Sequence, residues 1–133
     1  MLKLRVNNEE EHTVQKVGVI KKNVSMLLGL SIPEDEPIYL GSTNIAHMQS
    51  SHPEDFKRYG ADIITILLNP DYVGLNKRDN SIEYVKEYKI NNDFVKVAVR
   101  VSKSNRYYAR SLYVLNRNRV INFIKKDTLK PCN

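Results

Sequence analysis

The sequence predicts an α+β fold: N-terminal helices packed on a four-stranded antiparallel sheet, followed by a C-terminal helix. Three observations carry that expectation. From Tyr72 onward, four runs rich in β-branched and aromatic residues follow one another through links too short for parallel crossovers. Between Gly41 and Leu68, helix start and stop signals recur instead. Beyond Leu115 the apolar period turns helical, with Val120, Phe123 and Ile124 on one stripe.

In chain order, Leu2, Leu4 and Val6 alternate with polar residues and suggest a short strand, and Lys16-Val-Gly-Val-Ile20 suggests another. Asn23 can cap a short helix through Met26, Leu27 and Leu28 that Gly29 ends. Two prolines and three acids make Ser31-Ile-Pro-Glu-Asp-Glu-Pro37 an exposed loop. Residues 1–36 are therefore expected to be an N-terminal extension of uncertain structure within the same domain as residues 37–133. Pro37–Leu40 reads as extended. Ser42 or Thr43 then caps a helix carrying Ile45 and Met48, which stops near Ser51 because Pro53 disfavours α geometry at His52. Pro53 suits the first position of a new helix, with Glu54 and Asp55 in its positive first turn. A further helix is expected over residues 61–68, ending at Asn69-Pro70. Strands follow over residues 72–75, 81–89, 93–102 and 106–115, separated by Lys77–Asn80, Asn91-Asn92 and Lys103–Asn105. The last helix covers residues 117–126.

Composition bounds the function classes. The 133 residues suffice for one domain with a real core, and 41% hydrophobic with 27% charged residues is globular rather than disordered. No apolar run nears the roughly 20 residues of a membrane span, and the N-terminus lacks the apolar region of a signal peptide. One cysteine, Cys132, permits no internal disulfide and suits a reducing compartment, so a cytoplasmic location is expected. The net charge is +6, unevenly spread: residues 1–66 hold 7 Lys/Arg against 9 Asp/Glu, whereas residues 67–133 hold 14 against 6. Such asymmetry points to a polyanion bound by the second half, or to a solvated cationic surface.

Three histidines are present: His12 among acids, then His47 and His52. On one continuous helix the last two would point about 140° apart, but a break before Pro53 lets both rings converge. His52 at a helix N-terminus would be held neutral, as a general base requires; the alternative is a capping role for His52 and a surface position for His47. Only Glu54 and Asp55 lie near enough in sequence to complete a metal set, and the spacing differs from that of helical zinc ligands, so neither a metal nor a cofactor is expected. In the third strand Val95, Val97, Val99 and Val101 share one face, leaving Lys96, Ala98, Arg100 and Ser102 on the other. Ser111 and Tyr113 alternate with Leu112 and Val114 in the fourth. Tyr84, Lys86 and Tyr88 share a face of the second strand, expected to be the one bearing Arg100. This surface is either a shelf for a phosphate and a stacked base or an ordinary solvated sheet face.

Four segments carry a resemblance: Tyr39-Leu-Gly-Ser-Thr-Asn-Ile-Ala-His-Met-Gln-Ser-Ser-His-Pro-Glu-Asp-Phe-Lys-Arg-Tyr59, Ile66-Leu-Leu-Asn-Pro-Asp-Tyr72, Ser81-Ile-Glu-Tyr-Val-Lys86 and Tyr108-Ala-Arg-Ser-Leu-Tyr113. Together they resemble phage-associated nuclease domains of the superfamily uniting barnase, EndoU, the tRNA-cutting colicins and RelE. The resemblance implies a metal-independent endoribonuclease, toxin-like or phage-encoded, acting on RNA such as tRNA. In this chemistry the ribose 2′-hydroxyl attacks the adjacent phosphate and leaves a 2′,3′-cyclic phosphate. Carried over, His47 and His52 match the family's helical histidines, Lys86 its basic strand position, and Ser111 and Tyr113 its Thr/Ser-x-Tyr strand; Arg100 is added from strand geometry. RNA is the expected partner, with an immunity or antitoxin protein as a second candidate and no membrane. Two rivals stand beside it: a non-catalytic nucleic-acid-binding or phage assembly module on the same fold, and a metal-dependent DNase.

Overall fold

A computed structural model describes residues 13–132. The expected strand at Leu2–Val6 and the residue His12 lie outside the described residues. The α+β class holds, but the sheet does not match the expectation. Instead of four antiparallel strands, seven strands among the described residues form one mixed sheet in the order β1-β2-β6-β5-β4-β3-β7.

The expected meander is its centre: β3 (Tyr72–Leu75), β4 (Ile82–Tyr88), β5 (Asp93–Val101) and β6 (Tyr107–Leu115), each antiparallel to the next. An asparagine in the left-handed region occurs in each connecting segment, at Asn80, Asn92 and Asn105 with φ near +60°. Asparagine tolerates that conformation better than other side chains, which is why these runs turn rather than continue.

Three strands extend the meander. β1 (Val14–Ile20) pairs antiparallel with β2 (Glu36–Gly41), and β2 runs parallel to β6 through only two residue pairs, Ile38 with Tyr107 and Tyr39 with Tyr108. At the other edge β7 (Leu129–Pro131) pairs with β3, in a segment for which no strand was expected. Gly74 of β3 permits this approach, since a Cβ there would lie 2.7 Å from the carbonyl oxygen of Thr128. Nor do the helices simply precede the sheet. α1 (Lys22–Leu27) lies between β1 and β2, and Gly29 ends it at φ +67°. α2 (Ser42–Ser51), α3 (Pro53–Tyr59), a 3₁₀ turn (Gly60–Asp62) and α4 (Ile63–Leu68) follow β2, and α5 (Arg117–Lys125) follows β6.

The two sheet faces pack differently. Val95, Val97 and Val99 join Ile45 and Met48 of α2, Phe56 and Tyr59 of α3, and Ile63, Ile66 and Leu67 of α4 in the main core. Tyr84 lies on this side, so the expectation that Tyr84, Lys86 and Tyr88 share the face of Arg100 is corrected. Glu83, Val85 and Glu87 point the other way, because Val85 is needed under α5. There Val120 of α5 closes a second, smaller core with Val85, Phe94 and Leu129. α5 therefore roofs one end of the opposite face and leaves the end bearing Ala98, Arg100 and Ser111 open. Among the described residues, no helix is long and apolar enough to cross a membrane.

Candidate active site

After Tyr39, β2 diverges from β6, and α2 and α3 take its place along the unpaired edge. The Asp55 carboxylate accepts the Val114 amide at 2.9 Å, so a side chain satisfies a sheet edge that no strand among the described residues covers. This docking turns two neighbouring stripes of α2 in different directions: Ile45 and Met48 enter the core, while Thr43, Asn44 and His47 overlook the open sheet face. The Asn44 side chain accepts the Gly41 amide at 2.9 Å, so Gly41 is the N-cap where Ser42 or Thr43 was expected.

Between α2 and the β3–β4 loop lies a cleft of about 400 Å³. Ala98 and Ser111 form its floor, His47 stands on the helical wall, Arg100 and Arg110 supply cations, and Asp79 and Ser81 form the loop wall. Ala98 matters by its size, since a larger side chain there would fill the depth. Asp79 holds Arg100 at 3.3 Å, with both side chains substantially exposed. Such a pair is worth less than about 1 kcal/mol, so Arg100 can exchange this partner for a phosphate or use its remaining donors. Hydrogen bonds from Ser81 hold the Asp79 carboxyl below its ordinary pKa, keeping the loop wall anionic.

Arg110 occupies the cleft because of a β-bulge. Ala98 pairs with Ser111 but Val99 pairs with Ala109, leaving Arg110 as the extra residue. Strict alternation would put Arg110 in phase with Leu112, inside the main core. The bulge instead buries Ala109 and turns the arginine outward. Its Nε is buried and without a hydrogen-bond partner among the described residues. A buried charged donor is costly to leave unmatched, and this one lies beside an open, anion-sized space.

Farther along the open face runs a second polar chain. Lys96 is buried, 2.9 Å from Glu83 Oε2 and 4.6 Å from the Tyr113 ring centre. Burial pulls the Lys96 pKa down, but hydrogen bonds to Tyr113 and Glu83, together with the Glu83 charge, outweigh it and hold the ammonium above the ordinary lysine range. His52 stacks on the other partner of this chain: its ring centre is 4.8 Å from that of Tyr113, with 27° between the planes. His52 is both the last cap of α2 and the first cap of α3, yet its side chain makes no capping bond. The kink at His52-Pro53 is what brings the ring to the sheet.

The structure thus gathers His47, Arg100 and Ser111 in one cleft, with His52 and Tyr113 stacked two residues along β6. Lys86 is elsewhere: on the helix-packed face its ammonium donates to the Asn69 carbonyl at 2.9 Å, closing the end of α4. Arg110, Asn44 and Asp79 were given no role from the sequence, and Lys96 was placed on the face of Arg100 without one. For Arg110 a signal existed, since an arginine in phase with Leu112 can stay out of the core only through a bulge. Ser51 Oγ approaches both His47 ring nitrogens at 3.4–3.5 Å, too long to orient the ring firmly. Among the described residues, no three histidine, cysteine or carboxylate side chains converge as a metal-ligand set.

Among known families, the family model described as phage-Barnase-EndoU-ColicinE5/D-RelE like nuclease3 matches residues 15–122. No curated protein and no solved structure matches the chain.

Proposed function

The chain belongs to this phage-associated nuclease family, and on that premise we propose that it is a metal-independent endoribonuclease whose catalytic centre is the cleft between α2 and the β3–β4 loop. The observation that carries the reading is the meeting of His47 with two arginines over a floor small enough to admit a phosphate. The scissile phosphodiester rests on Ala98 and Ser111, with Arg100 and Arg110 holding its non-bridging oxygens. Arginine suits this task because its planar fork matches phosphate geometry and the charge developing in the transition state is met by fixed donors.

One imidazole takes the proton of the ribose 2′-hydroxyl as that oxygen attacks phosphorus; the other gives a proton to the departing 5′-oxygen as its bond to phosphorus breaks. The 2′-oxygen–phosphorus bond formed replaces the one lost, so the products are a 2′,3′-cyclic phosphate and a 5′-hydroxyl. His47, lining the cleft, and His52, held on Tyr113 beside the Lys96 charge, are the pair assigned to these transfers.

The test is incubation with total RNA in EDTA followed by end-group analysis. Cleavage that persists and leaves cyclic phosphate ends supports the proposal. Activity abolished by chelation, or products ending in a 3′-hydroxyl, would overturn it.

A further inference from the structure

Beyond Arg110, away from His47, lies a second recess of about 250 Å³. It shares Arg110, Thr43 and Asn44 with the catalytic cleft, so the two spaces are neighbours across one guanidinium. The described lining of this recess holds no carboxylate, whereas the catalytic cleft has Asp79. Its sheet-side wall is Tyr108, which pairs across β5 with Arg100 and across β2 with Tyr39. The Tyr39 and Tyr108 rings are 6.1 Å apart and tilted by 46°, and the Arg106 guanidinium lies 5.2 Å from the Tyr39 ring centre. Two adjacent aromatic rings therefore lie between two cations over the open face, in the order Arg106, Tyr39, Tyr108, Arg100.

We infer that Tyr108 and Tyr39 form a nucleobase-stacking platform for the nucleotide next to the cut, so that the preferred substrate is single-stranded. The inference deepens the nuclease reading and rests on it for the position of the cut. Aromatic rings flanked by arginines suit an unpaired base, whose faces are free; in a duplex those faces are occupied by neighbouring pairs. Neither tyrosine is needed by the main core, which closes with residues on the opposite side of β6 such as Leu112. Asn44 adds a polar edge: its oxygen is taken by the Gly41 amide, which leaves its NH₂ donors for a base presenting an acceptor.

The experiment has a cleavage arm and a binding arm. Steady-state cleavage of a single-stranded oligoribonucleotide is compared for wild type, Tyr39→Ala/Tyr108→Ala and Tyr39→Phe/Tyr108→Phe. The alanine pair should raise KM roughly 5- to 150-fold, the range for loss of one stacked base, with kcat little changed, and the phenylalanine pair should restore KM. Binding is read separately on a 2′-O-methyl oligonucleotide, which cannot be cut by 2′-hydroxyl attack. An oligonucleotide carrying 5-iodouridine, photo-cross-linked to the wild-type protein, should attach at Tyr39 or Tyr108, a readout independent of any variant's folding. Equal KM for all three proteins, cross-links only elsewhere, or duplex RNA competing as well as single strands would each overturn the platform. A protein that binds through the tyrosines but cuts no RNA would instead sink the nuclease proposal and leave the platform standing.

Discussion

The two faces of strands β5 and β6 are built from alternate residues of the same segments, yet they do opposite work. On one face Val95, Val97, Val99, Ala109 and Leu112 are essentially inaccessible and pack against three helices. On the other, Arg100, Arg110, Ser111 and Tyr113 remain partly exposed, and their polar partners are few or loose. The first face supplies burial free energy; the second is held in place by the first and is free to bind. Polar groups on the helix-packed side show the contrast from another angle. Tyr59 donates to Asp93 at 2.5 Å, Arg58 reaches the same carboxylate at 2.7 Å, and Asn91 donates to Tyr59. Matched in this way, that cluster is structural, whereas the Arg110 nitrogen, buried beside the cleft and without a partner among the described residues, points to a ligand; the Tyr84 hydroxyl, also unpaired among them, lies in the main core.

Substitutions on either face should separate stability from chemistry. The largest effect expected is on rate: His47→Ala should lower kcat/KM on RNA by about 10²–10⁴, the range of lost acid–base catalysis, with a melting temperature close to wild type. A drop in melting temperature as large as the drop in rate would return His47 to a packing role. Next, Leu112→Ala, on the other face of the same strand, should cost about 2–5 kcal/mol in denaturant unfolding while the folded fraction keeps its kcat. Third, Arg110→Ala should reduce kcat/KM about 10²-fold, as loss of one fixed donor to a developing oxyanion does. Lys86→Ala, on the helix-packed face, should change it by no more than about twofold, the scale of a substitution remote from the chemistry. Reversal of that order in parallel assays would move the phosphate site to the other side of the sheet.

The smallest effect is a pH dependence. Lys96→Met should cost about 1–3 kcal/mol, because Glu83 is left half-buried without its cation. The folded-state pKa of Lys96 is raised, so its stabilisation is fully present below the ordinary lysine value of about 10.4 and is lost as pH rises through the folded value. Melting curves of the two proteins should therefore keep a constant separation from neutral pH to about pH 10 and converge above it. A separation that shrinks already between pH 7 and 9 would mean the ammonium is not held by this pair.

Much of the local structure was legible. The meander strands fall within two residues of their expected bounds because asparagine turns and β-branched runs are local signals. The start of α3 at Pro53 follows from the fixed φ of proline. The sheet's full extent was not legible: the two-residue parallel contact of β2 with β6 joins segments nearly seventy residues apart, and no periodicity in either announces the other. The same holds for β7, three residues long. At the site, Arg100, Ser111 and Tyr113 follow from alternation against a valine face. Arg110 does not, because one inserted residue reverses the parity on which the reading depends.

By itself, then, the sequence determined the four meander strands, where they turn, that the valine face of β5 is buried, and that a helix break falls at the second of two histidines. Those properties depend on backbone preference and side-chain period, which act over a few residues. Only the tertiary structure decided that β1, β2 and β7 widen the sheet, that α2 lies along the unpaired edge of β6, that Lys86 closes a helix rather than facing the cleft, and that a bulge brings Arg110 beside His47. Each of these depends on which distant surfaces bury one another, and burial is a property of the whole chain.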